Sequence, residues 1–230
     1  MRAFGPLVAA AVIFATAAPA IPAPTTYTAP YPIASAYHSV QRCVGVGRCA
    51  SDGGATADRR TGRLQGFLSA DRDAVGALTS WIWGFADSRI RIPVQVPAGT
   101  DRLRIAARVR VSEAGAAITQ DPVSSWIVGG GSYRIVVRAW PGDGGIYSGD
   151  SEATVMSSET SGPTLRIQDR VYVIGADWDA GDGDTYVGLT DIHVALSIDV
   201  SSPPFQAGGV NASADAVVES VTIEFLSDAP

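Results

Sequence analysis

Apolar and polar residues alternate most regularly between Arg89 and Val111. Ile90, Ile92, Val94 and Val96 alternate with Arg89, Arg91, Pro93 and Gln95. Leu103, Ile105, Ala107, Val109 and Val111 alternate with Arg102, Arg104, Ala106, Arg108 and Arg110. A period of two marks a strand with one buried face, because successive side chains leave a sheet on opposite sides. Between the two runs, Pro97, Ala98, Gly99, Thr100 and Asp101 are turn formers. The stretch therefore predicts an antiparallel hairpin with one oily face and one arginine-rich face. With Val96 opposite Leu103, Arg91 falls opposite Arg108 and Arg89 opposite Arg110.

Further strand-length runs follow, each bounded by Gly, Pro, Asp or Ser: Ser125 to Val128, Tyr133 to Trp140, Ala153 to Ser157, Thr164 to Ile174, Tyr186 to Val200 in two parts, and Val217 to Leu226. In the run Asp191 to Val200, Ile192, Val194, Leu196, Ile198 and Val200 share one face, and Asp191, His193, Ala195, Ser197 and Asp199 share the other. Near the end Val217, Val221, Ile223 and Phe225 fall on one face with Glu219. Short, evenly punctuated strands with almost no helical period predict an all-β fold, an antiparallel, jelly-roll-like β-sandwich. At most one short helix is expected, capped by Ser69, Asp71 and Asp73 ahead of Val75 and Leu78. The polar stretch from Ser51 to Arg63 reads as an exposed loop.

The first twenty residues change the picture of the compartment. Arg2 precedes an apolar run from Ala3 to Phe14 and an Ala18-Pro19-Ala20 end, which is the layout of a secretory signal peptide. Residues 21–40 then read as an extended leader rich in Pro, Thr and Ala, and 41–230 as a single sandwich domain. A secreted or extracellular location follows, and the mature chain carries no transmembrane segment. Cys43 and Cys49, the only cysteines, frame a short glycine-bearing loop. In an oxidising compartment such a pair closes a local disulfide, worth about 2 kcal/mol for so small a loop.

Charge excludes one class of partner. Every one of the 17 basic residues is arginine, against 23 acids, a formal net charge of −6. Losing the signal peptide removes Arg2 and no acid, so the acid excess grows, and nucleic acid is not the expected partner.

Three groups carry candidate chemistry. Opposed arginines such as Arg91 and Arg108 repel, so something negative belongs beside them. It is either a carboxylate of the fold (Asp191, Asp199 or Glu224) or an external polyanion such as an acidic glycan. Asp177, Asp179, Asp182 and Asp184 stand on a glycine-broken stretch that could wrap calcium, a cation that takes several oxygen ligands. The spacing departs from an EF-hand, and a solvated acidic turn is the plainer alternative. Calcium is the one cofactor suggested. Among the aromatics, Trp178 within that stretch and Tyr186 just after it are stacking candidates, whereas Trp81 and Trp83 read as core.

Catalytic patterns are sparse. His38 and His193 belong to no metal motif, and Gly149-Asp150-Ser151 lacks the glycines of a nucleophile elbow. His193 reads as a surface histidine. These features describe a secreted, non-catalytic β-sandwich binding module, with carbohydrate or a surface polymer as partner. A structural or self-associating surface protein and a secreted hydrolase are the alternatives. Thiol titration of the unfolded, unreduced protein is expected to find no free sulfhydryl; two per chain would overturn the Cys43–Cys49 pairing.

Overall fold

The computed structural model describes residues 22–40, 49–72, 82–120, 131–142, 151–158, 164–179, 186–202 and 208–227. Every element among them is a strand: β1 (Thr25–Tyr27), β2 (Ile33–Val40), β3 (Cys49–Asp58), β4 (Arg63–Arg72), β5 (Ile82–Thr100), β6 (Arg102–Gln120), β7 (Ser132–Pro141), β8 (Glu152–Ser157), β9 (Thr164–Asp179), β10 (Tyr186–Ser202) and β11 (Gly208–Leu226). All pairings are antiparallel. The first sheet runs β3-β4-β11-β6-β9, with β1 beside β11, and the second runs β2-β5-β10-β7-β8. From β4 onward the chain crosses between sheets at every step except β7 to β8, which are neighbours in the second sheet, giving 4-11-6-9 facing 5-10-7-8. That alternation is the double Greek key of a jelly roll, as the spacing of strands and turns predicts.

The regular stretch from Arg89 to Val111 is not a hairpin. β5 pairs with β10 and β2, while β6 pairs with β11 and β9, so the chain changes sheet between them. Gly99 adopts a φ of 84° at this crossing, where Thr100 is buried and donates to the Pro97 carbonyl at 2.8 Å. Alternation cannot separate the two arrangements: strands that face each other across a core bury every second residue, as the strands of a hairpin do. Ile90, Ile92, Val94 and Val96 enter the core from one sheet, and Leu103, Ile105, Ala107, Val109 and Val111 from the other. Arg91 and Arg108 consequently lie on opposite outer surfaces and are never opposed.

Two bulges keep the longest strands in phase with the core. On β6 the buried series passes from Val109 and Val111 to Ala114 and Ala116, with Ser112 as the extra residue against β11. On β11 it passes from Ala216 and Val218 to Val221, Ile223 and Phe225, with Glu219 as the extra residue. An inserted residue turns the following side chains to the opposite face. Val218 is therefore the core residue and Val217 only half-buried, and Glu219 lies outside, among the arginines.

Three further expectations are corrected. Residues 22–40 are not a free leader: β1 pairs with β11, β2 pairs with β5, and Tyr31 between them is 1% exposed. Tyr31 donates its backbone N–H to Arg59 O at 2.7 Å and its hydroxyl to Val218 O at 3.1 Å, and burial pushes its phenol up to about 12. The polar stretch after Ser51 is mostly strand, β3 and the start of β4, whose glycines let it lie close over Leu68 and Phe67. Ser69 and Asp71, expected to cap a helix, pair in β4 with Asn211 and Gly209; residues 73–81 lie outside the described set. No helix of the described residues is long and apolar enough to cross a membrane.

Tyr31 tests whether the first strands belong to the fold. Tyr31→Phe should cost about 1 kcal/mol through the lost hydrogen bond, and Tyr31→Ala about 3–5 kcal/mol through the cavity. Both are read by urea denaturation; wild-type stability in Tyr31→Ala would return this segment to the status of a leader.

Candidate binding groove on the second sheet

The residues singled out by sequence are dispersed. Arg91 is on the second sheet, ion-paired with Asp191. Arg108 is on the first sheet, where its Nε donates to Glu219 at 2.6 Å. Trp178 lies across from Leu103 on β9, half-buried and packed against the core, so its ring serves the interior. Tyr186 opens β10 across from Thr100. Asp177 and Asp179 are not loop residues: they end β9 across from Arg104 and Arg102. Both Asp177 oxygens accept from Arg104, at 2.7 and 2.9 Å, and these bonds hold its carboxyl below the usual carboxylate range. Asp182, Asp184, Trp81, Trp126 and Cys43 lie outside the described residues, and Cys49 opens β3. Among the described residues, no three His, Cys, Asp or Glu side chains gather as a metal site.

Carboxylates of the fold meet most of the arginine-rich stretch. Arg104 also reaches Glu224 at 3.2 Å. Arg108 and Arg110 share Glu219, which they hold below the usual carboxylate range, and Arg110 adds Asp169 at 3.1 Å. Arg89 pairs with Asp87 at 2.7 Å. Solvent screens exposed pairs of this kind, so each adds little to stability, but together they neutralise Arg104, Arg108 and Arg110 on the outer face of the first sheet.

The outer face of the second sheet is different, because aromatic rings lie along it. Its register sets side chains in rows across the strands: Trp140, His193, Arg91 and Ile33; then Arg138, Ala195, Arg89 and Ser35; then Val136, Ser197, Asp87 and Tyr37; then Arg134, Asp199, Phe85 and Ser39; then Ser132, Ser201 and Trp83. His193 faces outward, as its phase predicts, yet it is 2% exposed, stacked on Trp140 with ring centroids 5.0 Å apart, and Arg89 lies over the same indole. At the other end of these rows Tyr37 and Trp83 are exposed, with Phe85 between them and 6.5 Å from Tyr37. Trp83 is thus a surface residue and not core, at 46% exposure.

Beside this strip opens a groove of about 730 Å³, lined by Trp83 on one bank and Ser132, Arg134, Thr154, Asp199 and Ser201 on the other. The hydroxyls of Ser132 and Ser201 are 2.7 Å apart. Arg134 and Arg138 converge on Glu152. Burial pushes the Asp199 carboxyl above the usual carboxylate range, against the opposing pull of Arg138 and Arg134. The groove therefore offers one broad aromatic face together with hydroxyl, guanidinium and carboxyl groups, a set able to hold a ligand that is apolar on one face and rich in hydroxyls at its edge.

No protein-family model matches the chain, and no curated protein matches it. Solved structures that resemble it include the enzymatically active domain of bacteriophage CBA120 tailspike protein 4, at 7% identity over 84% of this chain and 19% of that one, TM-score 0.22. Another is a family 11 carbohydrate-binding module from Clostridium thermocellum in complex with a beta-1,3-1,4-mixed-linked tetrasaccharide, at 8% identity over 84% and 90%, TM-score 0.21. A third is the mannan-recognising carbohydrate-binding module TmCBM27, at 9% identity over 79% and 98%, TM-score 0.23. The chain spans about a fifth of the tailspike chain's length. Likeness at these scores carries no argument about a ligand, and the jelly-roll assignment stands on the strand order.

Asp199 gives this site a pH signature. Its folded pKa is raised, so the stability tied to its protonated form is present below the unfolded value and lost as pH rises through the folded one. Asp199→Asn should melt at a higher temperature than wild type near pH 7, with the difference closing toward about pH 4, near the unfolded carboxylate pKa. An unchanged or lower melting temperature at pH 7 would show that the arginines outweigh burial.

Proposed function

We propose that the protein is a secreted, non-catalytic β-sandwich module that binds carbohydrate, or a carbohydrate-bearing surface polymer, on the outer face of its second sheet. The observation that carries this reading is the strip Tyr37, Phe85 and Trp83 laid beside a groove of serines, Arg134 and Asp199. A sugar ring presents C–H bonds on its faces and hydroxyls at its edge. An exposed indole covers the first with little loss of conformational freedom, because tryptophan has only two side-chain torsions. Serine, arginine and carboxyl groups satisfy the second, and a half-buried site strengthens each of those bonds. Apart from Tyr37 on the edge strand β2 and Thr154 on the edge strand β8, the strip and the polar bank sit on the central strands β5, β10 and β7, so little ordering is required on binding.

The test is depletion from solution by insoluble neutral polysaccharides: cellulose, xylan, mannan, chitin and β-glucan. Wild type should be retained by at least one, and Trp83→Ala should weaken that retention by roughly tenfold, about 1.4 kcal/mol. Equal retention of both proteins, or none on any polymer, would sink the reading.

A further inference from the structure

The first sheet has an exposed aromatic side chain of its own, Phe67, at 46% exposure on β4. The register surrounds it with small residues: Gly54 on β3 and Ser213 on β11 are its direct neighbours, and Gly115 on β6 follows. Across these four strands Phe67 is the one large side chain of the row, which ends at Arg166 on β9. At strand spacings of 4.7–4.9 Å the four strands span about 14 Å. Phe67 reaches over Gly54, since a Cβ added there would stand 2.5 Å from its Cε1. The ring is therefore seated where only a glycine leaves room for it, and the residue remains 46% exposed.

The next row forms the wall of this trough. Thr56 Oγ1 donates to Gln65 Oε1 at 3.1 Å, Gln65 Nε2 donates to Asp215 Oδ2 at 3.1 Å, and Arg63 Nε donates to Asp215 Oδ1 at 3.0 Å. The groove so formed has a volume of about 510 Å³. Its carboxylates are already paired, Asp215 with Arg63 and Glu113 with Arg166, and His38 of β2 completes the lining. An ionic ligand would have to break these pairs, whereas an uncharged hydroxyl, both donor and acceptor, can join the chain of hydrogen bonds without stranding any member.

We infer that this trough is a second binding site, on the face of the sandwich opposite the Trp83 groove, and that its ligand is a neutral glycan laid across the strands with one ring on Phe67. The protein is then bivalent, with its two sites back to back and able to hold two chains, or two segments of one chain.

The experiment follows backbone amides by NMR in the full chain while soluble neutral hexasaccharides of the cello, manno, xylo, laminari and chito series are added in turn. Trp83→Ala isolates the trough, and at least one of these sugars should still produce saturable shifts at Gly54, Phe67 and Ser213. Phe67→Ala should abolish those shifts. Gly54→Ala, which keeps the ring but lifts it off the sheet, should weaken binding at the trough by roughly tenfold. No saturable shift at these residues in Trp83→Ala, with any of the sugars, overturns the inference. Binding that survives Phe67→Ala unchanged but disappears in Trp83→Ala overturns it and leaves the Trp83 groove standing. The reverse pattern supports it and removes the Trp83 groove.

Discussion

Apolar side chains of β5 and β6 enter one interior from opposite sheets, and the other strands are arranged around that burial. Ile90, Ile92, Leu103, Ile105, Val109 and Val111 are at 0% exposure. At about 1.5–3 kcal/mol for each large side chain removed from water, this outweighs anything on the surface, where an ion pair is worth about 0–1 kcal/mol. The contact between the two inner faces also fixes which residues look outward. Once Ile90 is inside, Arg89, Arg91, Phe85 and Trp83 must be outside; once Leu103 is inside, Arg104 and Arg108 must be outside, on the far surface. The position of every candidate ligand contact follows from that parity.

Parity explains why the outer faces differ in character. On the first sheet the outward positions of β6 are largely arginine, and β9 and β11 answer with Asp169, Asp177, Glu219 and Glu224. Long charged side chains cover the strands beneath and protect the sheet from edge or face association. On the second sheet the charged rows are drawn to one end, where Arg89 and Trp140 bury His193 and Asp87 accepts from Ser197 at 2.9 Å. The other end is left to Trp83, Phe85 and Tyr37. These aromatic side chains stay partly or largely exposed there, with Arg134 and Asp199 beside them and not over them, which is the arrangement of a surface that meets something else.

Period two made most strands legible from the sequence, and the turn residues between them suggested a jelly roll. Pairing was not legible, because a hairpin and a sheet-to-sheet crossing bury the same alternate residues; choosing the hairpin set Arg91 against Arg108, which the strand order separates. Bulges escaped as well: Ser112 and Glu219 each shift the phase by one, and nothing in a single sequence distinguishes an inserted strand residue from a polar one on the outer face. Trp83, by contrast, was within reach. It has the same odd phase as Arg89 and Arg91, opposite to Ile90 and Ile92, so extending the alternation back along β5 places it outside. Hydrophobicity of the side chain argued for core, and phase along the strand overrode it.

The two bulges also bear on how both faces can carry ligand positions. Without them, a strand of 19 residues such as β6 or β11 would have to keep a single parity along its whole length. The extra residue at Ser112 lets Ala114 and Ala116 continue the core after Val111, and Glu219 reverses the corresponding shift on β11 before its second half meets β1. The half of β11 that pairs with β4 thereby presents Ser213 and Asp215 outward beside Phe67 and Gln65. The other half presents Glu219 and Glu224 to the arginines. One strand thus serves an aromatic trough at one end and a neutralised charge ladder at the other, and the change of phase between them separates the two environments.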